Sequence, residues 1–584
     1  MANRKNIYDA VIVGAGPAGL AAAFYLRKKG LKVHVIEKGR VFYKRNKSNP
    51  YDVASGIGGS GLFSDGKFSF FPSASNFWLL ESSDKIRLAY ENYSDLLRSI
   101  DLEIPIFNSR WTENKPDNDR KAGVTREKSF ESLHIPLEKR LDLIFELVTS
   151  IGKNNISTMS EVVNIEPIDS IINVTYKSSN DENLKLSCYS LIYAGGRLSP
   201  VQFRKIVPKA RMKFIRFEIG IRFEVNSDDF ELYSHQQTDV KIIKNISNED
   251  GIELRTFCCC RDGQVLQSVI FDLESYNGYS ETPSTNKSNI GLNLRISLAK
   301  KSKYYSSLKK LLGENQRLQP FELNGTDFVE NKLNKIYISE PVDNLIRDFI
   351  KELFPNSWPK SKIYGPTIEG IGLYPELDKN LKYSDLPMWV AGDAVGNFRG
   401  LTPSFLSGFY TAQCVLEHIE KQSNRIIEYL RIKQSKTDPL NIIFTAQSKK
   451  FFYCRDVVCE YVFNRSLLPV NPFRIFDYFL SDRVPRDIIR RCNNQLIQIS
   501  DELWVFGPIS DGVLFEIALA KKLGLPIRFF SIGTTINDIN SLDIEDITFE
   551  PEVHARNIKK EKLLNFISDN IVVEEPQQLS FPFK

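Results

Sequence analysis

Cysteine and histidine are scarce: the 584 residues carry eight of the first and five of the second. Three cysteines are adjacent (Cys258, Cys259, Cys260), so no disulfide framework is expected, and a reducing cytoplasm is the simplest inference. Cys454 and Cys459 lack a second pair to complete a zinc spacing, and no metal is expected. No apolar run reaches the roughly 18 residues of a membrane span, and Met1–Asn6 leads into a strand without the apolar core of a signal peptide. Neither a membrane nor secretion is expected. Seventy-seven Lys and Arg stand against 72 Asp and Glu, a net charge of +5 with both signs interspersed, which makes no case for nucleic acid. What is present is ordinary for a globular chain, 42% hydrophobic and 26% charged, with length for about three or four domains.

The most informative stretch is Tyr8-Asp-Ala-Val-Ile-Val-Gly-Ala-Gly-Pro-Ala-Gly-Leu20, continued by Val33-His-Val-Ile-Glu-Lys38. Ala10–Val13 is an apolar run of buried-strand type. Gly14, Gly16 and Gly19 follow in G-x-G-x-x-G spacing, with Pro17 and Ala18 between them. Leu20–Lys29 reads as an amphipathic helix stopping at Gly30, and Val33–Ile36 as a second strand ending on Glu37 and Lys38. Gly14 permits the tight turn, Gly16 lets the backbone approach a pyrophosphate, and Gly19 lets helix and strand pack closely. The helix N-terminus offers free N–H groups and a positive dipole end to the phosphates. Glu37, about 20 residues on, suits a ribose hydroxyl. A chance glycine turn is the bland alternative; the strand before, helix after and acid behind favour a dinucleotide.

Next comes Ala54-Ser-Gly-Ile-Gly-Gly-Ser-Gly-Leu-Phe-Ser-Asp-Gly-Lys67. It is either a flexible loop or a backbone cradle, with Gly59, Ser60 and Gly61 against the cofactor and Ser64, Asp65 and Lys67 near its reactive ring. Its place directly after the nucleotide unit favours the cradle. Residues 78–150 read as largely helical, with a polar loop at 112–128 and a helix at Lys139–Ile151. Short strands follow at Val162–Ile165, Ile171–Tyr176 and Leu184–Cys188. A further buried strand from Leu191 ends on Gly195 and Gly196, where the backbone can pass close to the cofactor. From about 205 to 385 the pattern is β-rich, with helices expected at Lys303–Leu312 and Val342–Leu353. The cysteine triplet falls in a strand before the turn Arg261-Asp-Gly263. It reads as small buried residues rather than a redox site, since no C-x-x-C spacing or neighbouring base is visible.

Met388–Ala391 is another buried strand; Gly392 allows a close approach and Asp393 sits at its carboxyl end, placed to accept hydrogen bonds from a ribityl chain. An apolar helix after Pro403 would aim its N-terminus at a flavin, stabilising negative charge on the reduced ring. The pairing of the N-terminal fingerprint with this distant Gly-Asp segment indicates FAD rather than NAD. No second G-x-G-x-x-G occurs, so a separate nicotinamide domain is not expected.

The segments GAGPAGL, GIGGSGLFSDGK, FEIGIRFE, TFCCCRDG, GIGLYPELD and VAGDAVGNFRG, in this order over about residues 8–420, resemble a family of FAD-dependent dehydrogenases, most of them predicted oxidoreductases. The resemblance implies a two-domain flavoprotein fold with non-covalent FAD and leaves the substrate open. Related families keep a small side chain beside the flavin where this chain has Val395–Phe398. Arg399, Lys67, Glu369 and Tyr374 are the polar candidates there, and each could equally be structural.

After a charged helix and linker over 421–445, a new alternation of strands and helices begins. Asn441–Ala446, Glu502–Gly507 and Pro526–Phe530 read as strands, and Cys454–Phe463, Val484–Ile499 and Val513–Lys522 as helices. Tyr461, the Pro-x-Asn-Pro turn at 469–472, the strand at 501–507 and Ser-Asp-Gly-x-x-x-Glu-Ile-x-x-Ala at 510–520 resemble the nucleoside 2-deoxyribosyltransferase-like superfamily. That resemblance implies Glu516 as a nucleophile on the anomeric carbon and Asp511 as an orienting acid. The two are five apart, a turn acid and a helix acid able to face one crevice. Many relatives only bind nucleotides, and Glu516 could simply cap its own turn.

The expected architecture is therefore α/β. A two-nucleotide-binding, Rossmann-like FAD domain occupies 1–204 and 386–430, with a β-rich substrate domain inserted at 205–385. A small parallel α/β domain follows at 440–540 and a peripheral tail at 541–584. The expected activity is two-electron transfer between FAD and a small organic substrate, and the C-terminal module narrows the expectation to one that is nucleobase- or nucleotide-related. A nucleoside or nucleotide would sit at the C-terminal domain. The alternatives are a nucleotide sensor that gates the flavoprotein and a non-catalytic FAD. Oligomeric state is not legible.

Overall fold

A computed structural model describes residues 7–71, 76–109, 112, 122–168, 170–247, 251–280, 284–297, 318–435, 440–476, 483–554 and 560–568. It divides into two compact units, Met1–Ser423 and Asn424–Lys584.

The first unit begins β1 (Ile7–Val13), α1 (Pro17–Lys28) and β2 (Val33–Ile36), then α2 (Ser83–Arg98) and α3 (Leu137–Ile151). Ala10, Val11 and Ile12 are fully enclosed, as an apolar run in a sheet covered on both faces must be. Strands β3 (Ile156–Ser157), β4 (Glu161–Ile168), β5 (Ile171–Lys177) and β6 (Asn183–Tyr193) complete most of one sheet, in the order β3-β2-β1-β6-β5-β4. β3, β2, β1 and β6 are parallel, whereas β4 and β5 return antiparallel. The two strands expected at Leu184–Cys188 and from Leu191 are one strand, β6. It starts exposed at Asn183–Lys185, and its last residues, Ser190–Tyr193, are all buried where the strand runs between β1 and a later strand.

A second, antiparallel sheet is built on β7 (Met212–Asn226), β8 (Ile252–Cys260), β9 (Lys287–Ile296) and β10 (Lys362–Pro375). Period-two alternation in β7 puts Phe217, Ile219, Ile221, Phe223 and Val225 on one face, packed against Val342, Ile346, Phe349 and Ile350 of α4 (Glu340–Leu353). The same alternation puts Arg216, Glu218, Arg222 and Glu224 on the other face, all buried. Thr125–Glu127, from outside the stretch 205–385, forms the edge of this sheet. The helix expected at Lys303–Leu312 lies outside the described residues.

The chain returns to the first sheet with β11 (Met388–Val390), parallel to β6. α5 (Leu401–Ser435) follows. It starts before Pro403, which sits in the first turn where its missing N–H costs nothing. The apolar helix and the charged helix expected after residue 421 are one element.

In the second unit, β12 (Ile442–Gln447), β13 (Leu468–Val470), β14 (Glu502–Phe506) and β15 (Ile527–Phe530) form a parallel sheet in the order β13-β12-β14-β15. Between successive strands lie α6 (Arg455–Phe463), α7 (Arg486–Gln498) and α8 (Asp511–Leu523). Among the described residues no helix is long and apolar enough to cross a membrane.

Candidate functional site

β1, β6 and β11 lie side by side and parallel, so their carboxyl ends open on one edge. Gly14 follows β1, Gly195 follows β6 and Gly392 follows β11. All three line a single cleft of about 1580 Å³, its open mouth included. At Gly14, φ is +100° and a Cβ would lie 2.4 Å from the Ala194 carbonyl oxygen; at Gly19 a Cβ would lie 1.9 Å from the Gly14 oxygen. No other residue fits either place. α1 then starts at Pro17 with no side chain capping it and no acid in its first turn, leaving its N-terminus open to an anion.

Glu37 ties this turn to its neighbours. Its Oε2 accepts from the Ala15 amide at 2.7 Å, and its Oε1 from Gly39 and Gly56 at 2.8 and 2.9 Å. The glycine-rich loop lies over the turn: Gly58 N donates to Ala15 O at 2.8 Å. Two arginines that sequence reasoning missed hold that loop. Arg140 of α3, 3% exposed, donates to the carbonyls of Gly61 and Leu62 at 3.0 and 2.7 Å. Arg45 donates to those of Asp52 and Ile57. Nothing in their sequence context marks them, since a basic residue in a polar segment reads as solvated surface.

Most expected cofactor contacts meet in the cleft. Gly14, Gly16, Pro17 and Ala18 come from the turn, Glu37 and Lys38 from the end of β2, and Gly59, Ser60 and Gly61 from the loop; Gly195, Gly196, Gly392 and Asp393 complete the wall. Gly19 stands behind, packing helix on strand. Lys38 Nζ lies 3.8 Å from the Phe271 ring centroid.

The inner end is a buried charge network from β7, β10 and the segment after β11. Arg216 Nη2 is 2.9 Å from Asp393 Oδ1, and Arg216 Nη1 is 3.6 Å from Glu218 Oε2. Arg399 reaches Glu218 at 3.2 Å and also grips Glu369, which Arg197 holds from the other side. Burial alone would raise the Glu218 carboxyl, but Arg399 and three further guanidiniums hold it well below the usual range. Burial outweighs the arginines at Asp393 and raises it.

Of the polar candidates, Arg399, Lys67 and Glu369 line the cleft. Lys67 points its ammonium at the Cys259 carbonyl, 3.6 Å from Asp65 and 3.9 Å from Asp239. Burial opposes its charge, but the two carboxylates win and raise its pKa. Tyr374 is fully buried against Gly396, away from the cleft lining. The cysteine triplet is where the fold adds most. Cys258 lines the cleft, and Arg222, Lys67 and Asp65, distant in sequence, stand around it. The absence of a C-x-x-C spacing or a neighbouring base in sequence was no guide to the space around it.

In the second unit Ser510 caps α8 and Asp511 is its first residue, so Asp511 is a helix acid rather than a turn acid. Its amide donates to Glu552 Oε1 at 3.3 Å. Glu516 faces α7, where Asn493 Nδ2 donates to Oε1 at 3.3 Å. Burial raises this carboxyl to about 8. Five positions at about 100° each send the two side chains off different sides of the helix, so they do not face one crevice. The carboxyl ends of β12 and β13 instead gather Asn471, whose Nδ2 donates to Thr445 Oγ1 at 2.8 Å and to Gln447 Oε1 at 3.1 Å.

Comparison with known proteins follows this division. Residues 446–530 match a domain of unknown function, DUF7768. A thioredoxin reductase of Ureaplasma parvum is 32% identical over 93 residues, 16% of this chain and 23% of that protein. One of Listeria monocytogenes is 49% identical over 39 residues, 7% of this chain and 12% of that protein. The chain thus spans less than a quarter of either reductase. Among solved structures, a flavoprotein/dehydrogenase from Cytophaga hutchinsonii has 12% identity and a TM-score of 0.34, covering 71% of this chain and 79% of that one. A geranylgeranyl bacteriochlorophyll reductase-like protein from Thermoplasma acidophilum has 12% identity and a TM-score of 0.36, with coverage of 74% and 84%. Residues 12–56 match the NAD(P)-binding Rossmann-like domain, and this chain opens with a Rossmann-like nucleotide-binding domain.

Proposed function

We propose that this protein is an FAD-dependent oxidoreductase whose first unit binds the flavin and a small organic substrate. One observation carries the reading: three glycine segments far apart in sequence, with Glu37 and Asp393, converge at the carboxyl ends of three adjacent parallel strands. When bound, FAD supplies the two-electron chemistry. The open N-terminus of α1 takes the pyrophosphate. Glu37 Oε2 accepts one amide and keeps a lone pair for a ribose hydroxyl. Asp393, held at Oδ1 by Arg216, presents Oδ2 to the ribityl chain. Lys67 keeps its protons at neutral pH, so it acts as a fixed charge and not as a base. Arg399 orients a polar substrate, its guanidinium 5.1 Å over the Phe257 ring.

The substrate is nucleobase- or nucleotide-related, a reading that rests on the likeness of the C-terminal unit to nucleoside 2-deoxyribosyltransferases. In that unit the contact of Glu516 with Asn493 favours nucleotide binding over glycosyl transfer.

The purified chain is expected to be yellow and to release FAD on denaturation, and the bound flavin to bleach anaerobically with NADH, NADPH or a nucleoside. A colourless chain that releases no flavin refutes the assignment. Gly16 has φ −75° and room for a Cβ, so Gly16→Val leaves the backbone unstrained and should lose the flavin by blocking the pyrophosphate. Full retention would move the cofactor elsewhere.

A further inference from the structure

The three cysteines at the end of β8 do not share one environment. Ile252 and Leu254 point into the core of the second sheet, and simple alternation would send Cys258 and Cys260 there as well. The ladder to β9 slips between Phe257 and Cys260, and Cys258 takes φ +50°, a left-handed conformation costly for a residue with a Cβ. This bulge reverses the alternation. Cys259 enters the core, while Cys258 and Cys260 turn to the cleft side with sulfurs 3.9 Å apart. About 2 Å of closure separates that distance from a disulfide bond, within the range of a side-chain rotation.

The surroundings favour sulfur that carries charge. Arg222 is fully buried, its Nη2 lies 3.7 Å from Cys260 Sγ, and it donates to the Cys258 carbonyl at 2.9 Å. Its Nη2 also donates to Asn289 Oδ1, while its Nε and Nη1 have no hydrogen-bond partner. Burial opposes ionisation of Cys260, but the bond to Cys258 and the charges of Arg222 and Lys67 bring its thiol below the usual range, while Cys258 is raised. Asp65 stands within 4.8 Å of both sulfurs, a donor set that could also gather a metal ion. The buried cations Arg222 and Lys67 beside it oppose a further cation and favour a thiolate.

We propose that Cys258 and Cys260 are a redox pair that exchanges electrons with the flavin of the cleft, which Cys258 lines. This rests on the FAD assignment above. In the oxidising direction the Cys260 thiolate and the Cys258 thiol form an S–S bond. Two electrons and the Cys258 proton pass to oxidised flavin, giving its singly protonated reduced form, and the charge balances. The reverse step returns thiol and thiolate. The thiol or disulfide that this pair serves is a second redox partner of the flavin, beside the nucleobase- or nucleotide-related substrate proposed above.

The test uses the whole flavin-bearing chain, with flavin measured by release on denaturation. After mild oxidation with diamide and removal of excess, the wild type should take up one electron pair per chain beyond that needed by its flavin in an anaerobic dithionite titration. Peptide masses should show a 258–260 disulfide that becomes two alkylatable thiols on reduction. Cys258→Ser and Cys260→Ser should each lose the extra pair and keep the flavin. Should either variant fold poorly, the wild-type electron count and peptide masses decide alone. A flavin-bearing wild type that takes up no extra pair, with both sulfurs alkylated before reduction, overturns the redox pair and leaves the FAD assignment standing. A stoichiometric metal ion released when the sulfurs are alkylated also overturns it. A chain without flavin overturns both.

Discussion

At the scale of single residues, Glu516 gives the clearest pH dependence. Its carboxyl is raised from 4.5 to about 8 by burial, with the Asn493 bond pulling the other way. Below the unfolded value both states hold the proton and nothing is lost. As pH rises toward about 8, the unfolded chain releases a proton that the folded chain keeps, so the stability of the second unit falls across that window. Glu516→Gln should remove the fall. At pH 8 it should stabilise the second unit by about 2 kcal/mol, less than the full shift implies because Glu516 as a residue keeps some exposure to solvent, and it should change little near pH 4.5. Hydrogen exchange in peptides spanning Asp511–Leu523, corrected for the intrinsic rate, checks this. A nucleophile awaiting a sugar would instead tie the variant to lost transfer activity. The glycines of the cleft were legible in the sequence because backbone proximity leaves glycine no substitute. Arg45, Arg140 and Arg222 were not, because a buried guanidinium looks in sequence like any surface cation.

At the scale of elements, the glycine-rich loop depends on a helix about 80 residues away in sequence. Arg140 of α3 donates to Gly61, Leu62 and the Ser64 carbonyl. Arg140→Ala leaves those carbonyls unpaired and should cost about 2–4 kcal/mol. Thermal unfolding of the first unit should show the loss, and FAD affinity should fall with it; an unchanged melting temperature would mean that water replaces the guanidinium without cost. Element types and positions in the first sheet followed from apolar runs and glycine punctuation. What escaped was continuity and register. β6 read as two strands because Tyr189 and Ser190 interrupt its apolar pattern, and the β8 bulge is invisible because Thr-Phe-Cys-Cys-Cys has no polarity pattern to break. Thr125–Glu127 is too short to announce a strand, and its partner lies more than 100 residues on.

At the scale of the molecule, every residue lining the cleft belongs to the first unit. Added FAD should therefore protect that unit, by about 2.7 kcal/mol at a hundredfold excess over its Kd, and leave exchange in β12–β15 unchanged. Protection spreading into those strands would instead favour the reading in which one unit gates the other. The arrangement of β1, β6 and β11 has a consequence for how the protein is made. Gly14, Gly195 and Asp393 meet only after nearly the whole first unit has left the ribosome, since β11 is the strand added last to that sheet. A nascent chain halted before Met388 has the fingerprint turn without the acid and the third strand that complete the cleft. On the FAD reading proposed above, cofactor capture waits on translation of the first unit, and a truncated product should stay without flavin and open to proteolysis.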